Sequence, residues 1–389
     1  MNRTLRVGII ANEFFDETVG RMGGFGWVAA AAASCLRSRP DLVRSVEFLS
    51  GERARSAESE VVSHGLPLHF FPRSADRRLL GDRFDVLLSV DYRPSYDPIV
   101  AAFSSVPWIL WVNDPRTSED WARLSGLRVP ARELETPQGT HPIDCTSMRR
   151  WRPSWWKRSR RVVFGVTASS LGQKFKGAYG FAVRGPLELL PYPLRLPVAP
   201  AEKKSERATV VFLGRLDPIK RPWLVFELAE RLPSVQFVVM GRTHFRPPRA
   251  WEVPPSVPTN VELLGHVDGE TKWRRLRDAW ALVNTSIHEA LPVSFVEAFA
   301  AGTPVISCQD PGSLVSEFGV FTGRFDGDGL AGVPAFVDAI SSMTARWSLA
   351  MGRKAHCWAL ETHSEDAFIN AFRRLCDRAG LRTEAPRGK

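Results

Sequence analysis

The segment HEALPVSFVEAFAAGTPVIS, residues 288–307, decides how the second half of the chain folds. Its apolar residues predict a helix that begins near Val293 or Ser294 and leads into a short buried strand. The unsatisfied amides of the first turn would then point back toward Glu289, where they favour an anion. Glu297 would lie in or near that turn, placed to accept hydrogen bonds from vicinal hydroxyls such as those of a ribose. The alternative is that Glu289 is a loop residue and Glu297 a helix-surface charge favoured by the helix dipole.

A second motif lies upstream, in the segment VVFLGRLDPIKRPW, residues 210–223. Its apolar start predicts a strand that ends at Gly214 and Arg215, and Lys220 follows five residues later at a helix start. Glycine permits close backbone approach, arginine offers a bidentate fork for a phosphate, and lysine adds a mobile point charge. Open α/β sheets bind ligands at the carboxyl ends of their strands, so these cations predict a phosphate site. Taken singly, each is equally compatible with a solvated charge around a turn.

Short apolar runs alternate with helical patterns along the whole chain, which is typical of parallel α/β layers. The first series has predicted strands at 5–11, 46–50, 68–71, 84–90, 108–112 and 162–167, and an Ala-rich helix ending at about 37. The second series has predicted strands at 208–213, 235–240, 261–264, 281–284 and 304–307, and helices at 221–232, 271–281, 294–301, 333–344, 346–360 and 364–378. Residues 113–161 show no strong period. A proline-rich and charged boundary at 191–207 separates the two series.

We therefore predict two Rossmann-like domains, over residues 1–195 and 200–360. The final segment, residues 361–389, contains an amphipathic helix with Phe368, Phe372 and Leu375 on one stripe, and we expect it to pack back on the first domain.

With both motifs in view, the C-terminal half resembles the donor-binding domain of family 4 of the retaining glycosyltransferases. These have the GT-B architecture, in which two Rossmann-like domains face a cleft. The resemblance rests on two glutamates separated by seven residues, on the sequence EAFAAGTPVIS that the second of them opens, and on the spacing from Gly214-Arg215 to Lys220. It covers residues 209–324, and it is weaker in the N-terminal half, where it rests mainly on the Gly23-Gly24 pair after the first strand.

The resemblance implies a role for each matched residue. Arg215 and Lys220 would hold the donor diphosphate, Glu297 would bind the ribose hydroxyls, and Glu289 would lie near the donor sugar. The implied catalytic residues are thus Arg215, Lys220 and Glu289, and the implied donor-binding residues are Gly24, Gly214, Leu291, Val293, Ser294 and Glu297. Gly24 would approach the diphosphate from the other domain. Two departures affect this set: Asn113 stands where the family often has a histidine, and Pro292, which has no amide to donate, replaces a glycine-rich turn.

The charge of the chain is concentrated in one basic, tryptophan-bearing segment. The net charge is +10, and ten basic residues with no acidic one lie between Arg149 and Arg184. Seven cations and three tryptophans fall within residues 149–161. Such a segment suits an anionic membrane surface or an anionic acceptor. The candidate contacts are Trp151, Trp155, Trp156, Arg149 and Arg152. Two alternatives are a structural loop whose tryptophans cap the N-terminal core and a nucleic-acid contact, although no second basic motif supports the latter, and we predict no nucleic-acid partner.

Several function classes are excluded by composition. The five cysteines are far apart and include no C-x-x-C pair, which argues against a disulfide framework or a zinc cluster and favours a reducing cytosol. No apolar run is long enough to span a membrane. The histidines lack metal-ligand spacing, and we interpret the Asp326-Gly-Asp328 motif as a loop. We therefore predict no metal and no cofactor beyond a nucleotide-sugar co-substrate.

These observations predict a cytoplasmic enzyme, with peripheral contact to the inner face of the membrane as an option. It would move a sugar, with retention and without a metal, from a nucleoside-diphosphate sugar to a hydroxyl acceptor. That acceptor would be a glycan, a lipid-linked molecule or a small molecule. The alternatives are a GT-B nucleotide-sugar epimerase or hydrolase, and a catalytically silent GT-B binding protein.

Overall fold

A computed structural model gives the fold of the chain. It describes residues 4–14, 23–51, 61–71, 83–130, 162–179, 187–195, 200, 202–243 and 251–382. The chain divides into two compact units. The first comprises Met1–Pro115, Pro142–Leu194 and His363–Lys389, and the second comprises Arg116–His141 and Arg195–Thr362.

The first unit is built on an eight-stranded sheet. Its strands are β1 (Leu5–Ile10), β2 (Val43–Ser50), β3 (Val61–Ser63), β4 (Leu66–Phe70), β5 (Val86–Val90), β6 (Trp108–Val112), β7 (Val162–Val166) and β8 (Glu188–Leu189). Their spatial order is β3-β4-β2-β1-β5-β6-β7-β8, and only β3 runs antiparallel to its neighbour. Every residue of β5 and β6 is buried, as expected for central parallel strands covered on both faces. All six strands predicted in the first series are present.

Among the described residues, the helices that lie wholly in the first unit are α1 (Gly24–Arg37), α2 (Asp97–Ala102), α4 (Leu171–Tyr179) and α11 (Glu365–Arg378). Helix α11 is capped by the Ser364 hydroxyl, which accepts from the amide of Ala367 at 3.1 Å. Its stripe of Phe368, Phe372 and Leu375 is fully buried, and Phe368 lies 5.4 Å from Trp111 of β6, ring centre to ring centre. The last helix therefore completes the core of the first unit.

The second unit has a six-stranded, wholly parallel sheet. Its strands are β9 (Thr209–Leu213), β10 (Gln236–Met240), β11 (Val261–Gly265), β12 (Ala281–Asn284), β13 (Val305–Ser307) and β14 (Gly319–Phe321), in the order β11-β10-β9-β12-β13-β14. Its helices are α3 (Ser118–Ser125), α5 (Trp223–Arg231), α6 (Gly269–Asp278), α7 (Val293–Ala300), α8 (Leu314–Phe318), α9 (Val333–Ser341) and α10 (Ala345–His363), whose last residue falls in the first unit.

Helix α3 differs from the sequence prediction in two ways. It lies in the stretch 113–161 for which no period was found, and residues 116–130 pack with the second unit rather than with the N-terminal domain. A capping box holds its start, because the Thr117 hydroxyl accepts from the amide of Asp120 while the Asp120 carboxylate accepts from the amide of Thr117. Leu124 and Leu127 are buried in the core of the second unit. The helix is too short for its period to stand out, and the T-x-x-D box was its available signal.

Candidate functional site

The predicted phosphate motif follows strand β9 directly. The amide of Gly214 donates to the carbonyl of Met240 at 3.0 Å, so the ends of β9 and β10 converge. Gly241 makes this convergence possible, because a Cβ at that position would lie 1.8 Å from the carbonyl oxygen of Gly214. Around Gly214 itself, a Cβ would meet only the Phe212 ring, at 3.9 Å. The backbone at Gly214 is therefore open to the approach of a ligand.

Arg215, the next residue, is anchored at one nitrogen. Its Nε lies 2.9 Å from an oxygen of Asp217, whose side chain is only 2% exposed, whereas the Arg215 side chain is 37% exposed. In the described part of the chain, no hydrogen bond reaches either of the two Nη atoms. A guanidinium held at Nε with both Nη groups available is arranged for a bidentate contact with a phosphate.

Lys220 ends a 3₁₀ turn over Pro218–Lys220 and reaches the end of strand β12. Its Nζ lies 2.5 Å from Oε1 of Glu289. The same oxygen accepts from the Ser286 hydroxyl at 2.6 Å and from the Asn284 amide at 3.1 Å. No hydrogen bond reaches Oε2 from the residues whose positions are described. One oxygen of Glu289 is thus fully occupied, and the other is left for a ligand.

The surroundings of Glu289 also set its charge. Burial alone would raise the pKa of this carboxyl. The ammonium of Lys220 and the hydrogen bonds from Ser286 and Asn284 outweigh burial, and the pKa is lowered from its ordinary value. Glu289 is therefore a carboxylate at neutral pH.

Arg221 is a structural residue that the sequence analysis did not single out. It is fully buried and adopts a left-handed backbone conformation, with φ at 47°. Its guanidinium donates to the carbonyls of Thr285 and Phe325, both at 2.7 Å, and to that of Ser286 at 3.3 Å. It also contacts the sulfur of Cys308 at 3.1 Å. Arg221 therefore ties together the loops that follow β12, β13 and β14, and it fixes the loop that bears Glu289.

Helix α7 begins at Val293, next to Pro292, without a side-chain cap. The amide of Phe295 donates to the carbonyl of Pro292 at 3.1 Å, whereas the amides of Val293 and Ser294 meet no acceptor within the described ranges. Both residues are partly exposed, and Leu291 just before them is buried. The amides of Val293 and Ser294 are therefore available at this helix start, and the contact of Leu291, Val293 and Ser294 with a donor stays a prediction.

Glu297 lies deeper in helix α7 than the sequence suggested. With the helix starting at Val293, no acidic residue falls in the first turn, and Glu297 belongs to the second. It is buried, and its Oε1 lies 2.7 Å from Nζ of Lys272 on helix α6. The prediction did not include Lys272. No local pattern separates this lysine from the arginines of the same helix, so only the fold reveals the pair.

Two further polar groups lie beside these loops in the second unit. His288 is buried, and its Nδ1 lies 3.2 Å from Oδ1 of Asp120, which also caps helix α3. Asp326 pairs with Arg123 at 2.7 Å, and Asp328 accepts from the amide of Leu330 at 2.9 Å. Both aspartates of the D-x-D motif therefore have structural partners, Asp326 on helix α3 and Asp328 within its own loop. Among the described residues, no cluster has the composition of a metal site.

Gly24, the remaining predicted donor contact, lies in the first unit at the start of helix α1. It is exposed, and a Cβ there would meet no atom within 4 Å. The steric need for glycine is stronger at Gly26, where a Cβ would lie 2.8 Å from backbone atoms of Glu13 and Phe14. At Gly23 a Cβ would lie 1.8 Å from a carboxylate oxygen of Glu13, at the end of a flexible side chain. That carboxylate is held by Arg93 at 3.2 Å.

The carboxyl edge of the first sheet carries buried polar groups of a different kind. Asn113 follows β6, and its side-chain nitrogen donates to the carbonyl of Trp111 at 2.6 Å, while its Oδ1 has no partner in the portion described. Asp91 follows β5 with φ at 59° and accepts from the amide of Asp114 at 2.9 Å. Asn12 follows β1 and donates to the hydroxyl of Ser95 at 2.7 Å.

The basic tryptophan segment lies outside the described residues, and with it Trp151, Trp155, Trp156, Arg149 and Arg152. The predicted contacts of this segment therefore stay predictions. In the part of the chain that the structure covers, no helix is long and apolar enough to cross a membrane.

Solved structures of several proteins align with almost the whole chain. HepE of Anabaena, solved with UDP-glucose, is 12% identical, with 97% of this chain and 99% of its own covered and a TM-score of 0.61. Sucrose-phosphate synthase of Thermosynechococcus elongatus is 14% identical, with coverages of 97% and 99% and a TM-score of 0.65. The pneumococcal O-GlcNAc transferase GtfA, solved with UDP and GlcNAc, is 10% identical, with coverages of 97% and 100% and a TM-score of 0.62. These matches confirm the predicted GT-B fold class, with two parallel-sheet α/β domains.

Part of the second unit also matches the model of a protein family. Residues 198–317 match the model of Glycosyl transferases group 1. This range contains all the predicted site residues of the second unit, from Gly214 to Glu297. No curated protein sequence matches the chain.

Proposed function

We propose that the protein is a retaining glycosyltransferase that uses a nucleoside-diphosphate sugar and needs no metal ion. The observation that carries this proposal is the grouping of Arg215, Lys220 and the free amides of helix α7 around the carboxyl ends of β9 and β12. Cations and helix-start amides at this edge of a parallel sheet suit a diphosphate. The family match over the same residues supports the assignment.

In the proposed reaction, the bond between the anomeric carbon of the sugar and the β-phosphate oxygen breaks. An acceptor hydroxyl attacks the same face of the sugar and passes its proton to the departing phosphate oxygen. Negative charge grows on that phosphate, and Arg215 and Lys220 stabilise it electrostatically. The ammonium of Lys220 has three N–H donors, so one can stay hydrogen-bonded to Glu289 while another donates to the phosphate. The free Oε2 of Glu289 would accept from a hydroxyl of the donor sugar.

We further propose that the acceptor binds the first unit. The side-chain amides that follow its strands, such as those of Asn12 and Asn113, carry no charge. They are suited to hydrogen bonds with hydroxyl groups rather than to phosphates. The acceptor class is a glycan, a lipid-linked molecule or a small molecule. For the donor, the UDP bound in the HepE and GtfA structures makes a UDP-sugar the first candidate.

A transfer and hydrolysis screen over UDP-, GDP- and ADP-sugars tests the function, with NMR of the anomeric proton to follow the stereochemistry. We expect release of the nucleoside diphosphate and an anomeric configuration equal to that of the donor. Tight binding without turnover would favour a silent binding protein. An inverted product would reject retention, and a change of the sugar without loss of the nucleotide would favour an epimerase.

The membrane contact is a separate proposal that rests on sequence alone. We propose that the cations and tryptophans of residues 149–161 bind anionic lipid reversibly, each cation contributing about 1 kcal/mol near such a surface. Sedimentation with anionic and neutral liposomes, at low and high salt, tests it with the wild type and the Trp151, Trp155 and Trp156 triple alanine variant. Equal lack of pelleting with both lipids at low salt would reject the proposal.

A further inference from the structure

Two lysine–glutamate pairs occupy the candidate site, and they share one geometry. In each pair the lysine reaches Oε1 of the glutamate, at 2.5 Å for Lys220 and Glu289 and at 2.7 Å for Lys272 and Glu297. In each pair, Oε2 has no hydrogen bond from the described residues. The first pair belongs to the predicted phosphate site. In the second pair, Glu297 is the predicted ribose ligand, and Lys272 has no role assigned so far.

The second pair is less exposed to solvent than an ordinary surface ion pair. The side chains of Lys272 and Glu297 are 12% and 6% exposed. Burying a charged group without a partner is costly. Lys272 is therefore the charge that offsets the burial of Glu297 in this position.

Among the described residues, the other cations on the neighbouring helices and strands are paired elsewhere or, like Arg274, exposed. Helix α7 and strands β9 and β13 contain no other charged residue than Glu297. On helix α6, Arg275 pairs with Glu262 and Arg277 pairs with Glu270. His356 of helix α10 bonds through Nδ1 to the carbonyl of Ala300 at 2.7 Å. Glu297 thus depends on one specific lysine.

We propose that Lys272 is a positioning residue that presents Glu297 to the nucleotide ribose and thereby sets a preference for ribose over deoxyribose. By holding Oε1, Lys272 fixes the carboxylate plane and leaves Oε2 to accept from a hydroxyl. A hydrogen bond from a ribose hydroxyl to a carboxylate oxygen is charge-assisted, and so it is stronger than one between neutral groups. The inference rests on the proposed function, because it takes a nucleoside diphosphate as the ligand of this site.

A purely structural role is the competing explanation, since the pair also joins helices α6 and α7. The two roles differ in what they predict for binding. A structural tie would affect the affinity for every nucleotide alike. A positioning role affects only the part of the affinity that depends on the ribose hydroxyls.

Calorimetry with UDP and 2′,3′-dideoxy-UDP separates these roles on the full chain. One charge-assisted hydrogen bond corresponds to about tenfold or more in affinity, so we expect the wild type to prefer UDP by at least that factor. Lys272→Met should reduce the preference to less than about threefold while its affinity for the dideoxy analogue stays within about twofold of wild type. Lys272→Arg, which keeps the charge, should retain most of the preference.

Further variants make the test specific. Glu297→Gln should lose the preference as Lys272→Met does, and the double variant should lose no more than either single one. Arg274→Met removes an exposed cation from the same helix and should leave the ratio unchanged. If Lys272→Met does not fold, Lys272→Gln, which keeps a hydrogen-bond donor without the charge, takes its place and should also lose the preference.

The outcomes distinguish the inference from the function beneath it. If Lys272→Met or Lys272→Gln keeps the wild-type ratio, Lys272 is only a structural tie and the inference is overturned. If the wild type binds UDP but binds the dideoxy analogue equally well, the inference falls while the diphosphate site stands. If the wild type binds no nucleoside diphosphate in a panel that includes GDP and ADP, the proposed function itself falls.

Discussion

The two units share a parallel α/β plan, yet the polar residues that follow their strands differ in kind. In the second unit these residues are charged and paired, as in Lys220 with Glu289. In the first unit most of them are buried amides and carboxylates bonded to backbone and hydroxyls, as for Asn113 and Asp91, although Glu13 and Arg93 form an ion pair there as well. The same sheet edge therefore supports different chemistry according to the few residues placed just after each strand. The charged edge suits a phosphate, and the neutral amides suit hydroxyl groups.

The largest effect should come from Arg221→Met, which acts on the second unit. The change removes the described side-chain donor to the carbonyls of Thr285 and Phe325 and one of the donors to that of Ser286, and we expect it to lower the free energy of unfolding by about 3 kcal/mol or more. Chemical denaturation measures the loss. Arg231→Met is the matched control, because Arg231 pairs with Glu227 on a helix surface and should cost less than about 0.5 kcal/mol.

Hydrogen exchange on the same variant tests the division into units. Amides of β12 and β13 should lose protection, whereas those of β1, β5 and β6 should lose less. Equal loss in both sheets would show that the two units unfold together, and the comparison between them would then hold for chemistry but not for stability.

The next effect concerns the charged edge. Lys220→Met should weaken UDP binding by about tenfold to a hundredfold, because it removes a charge-assisted contact of about 1.5–3 kcal/mol. Arg215→Ala should act similarly, and both variants should remain folded by circular dichroism. Arg374→Met, which breaks an ion pair with Glu188 in the first unit, should leave the affinity unchanged. Wild-type affinity in both site variants would reject the diphosphate assignment.

The stability of the first unit should depend on pH in the acid range, through His363. His363 is fully buried and accepts at Nδ1 from the amide of Tyr192 at 3.1 Å, and burial lowers its pKa to about 3. In the unfolded chain the pKa is near 6.5, so the unfolded state binds the proton first as the pH falls. The stability contribution is therefore complete above pH 6.5 and is lost as the pH falls toward 3. His363→Gln should flatten the acid limb of the unfolding curve. An unchanged limb would show that His363 does not set it.

The stability of the second unit should depend on pH on the alkaline side of neutral. Lys204 is buried, and its Nζ donates to the carbonyls of Arg277 and Gly302, both at 2.9 Å. Burial lowers its pKa to about 7, below the 10.5 of a free lysine. The unfolded chain thus binds a proton first as the pH falls from 10.5, and the contribution of this site declines until about pH 7. Lys204→Met should remove that slope in denaturation measured between pH 7 and 10.5, and a slope equal to wild type would contradict the assignment.

The sequence predicted the sheets better than the site because apolar runs are local, whereas ion pairs depend on packing. Strands such as β6 were predicted from a continuous run of apolar residues. Strands β3, β8 and β14 have two or three residues each and give no such signal. Arg221 was expected to begin a helix. The proline at 222 instead disfavours the helical region for the residue before it, and helix α5 starts at Trp223.

The catalytic motifs show the same limit. The spacing of Glu289 and Glu297 indicates that both follow strand β12, but it does not give their partners. Lys272 lies 25 residues before Glu297. Only the packing of helix α6 on helix α7 brings the two side chains together, so no pattern within either helix could have predicted the pair.

The placement of helices α3 and α11 has a consequence for the order in which the protein folds during synthesis. Residues of α3 leave the ribosome long before strand β9, against whose unit they pack, so the side chains of Leu124 and Leu127 must wait without their core. The first unit waits in turn for α11, whose Phe368 covers Trp111. The first unit therefore cannot finish folding while its N-terminal stretch emerges, whereas the second unit has all of its segments once residues 195–362 have followed α3. A nascent chain halted at residue 200 would therefore expose two unfinished apolar surfaces to chaperones.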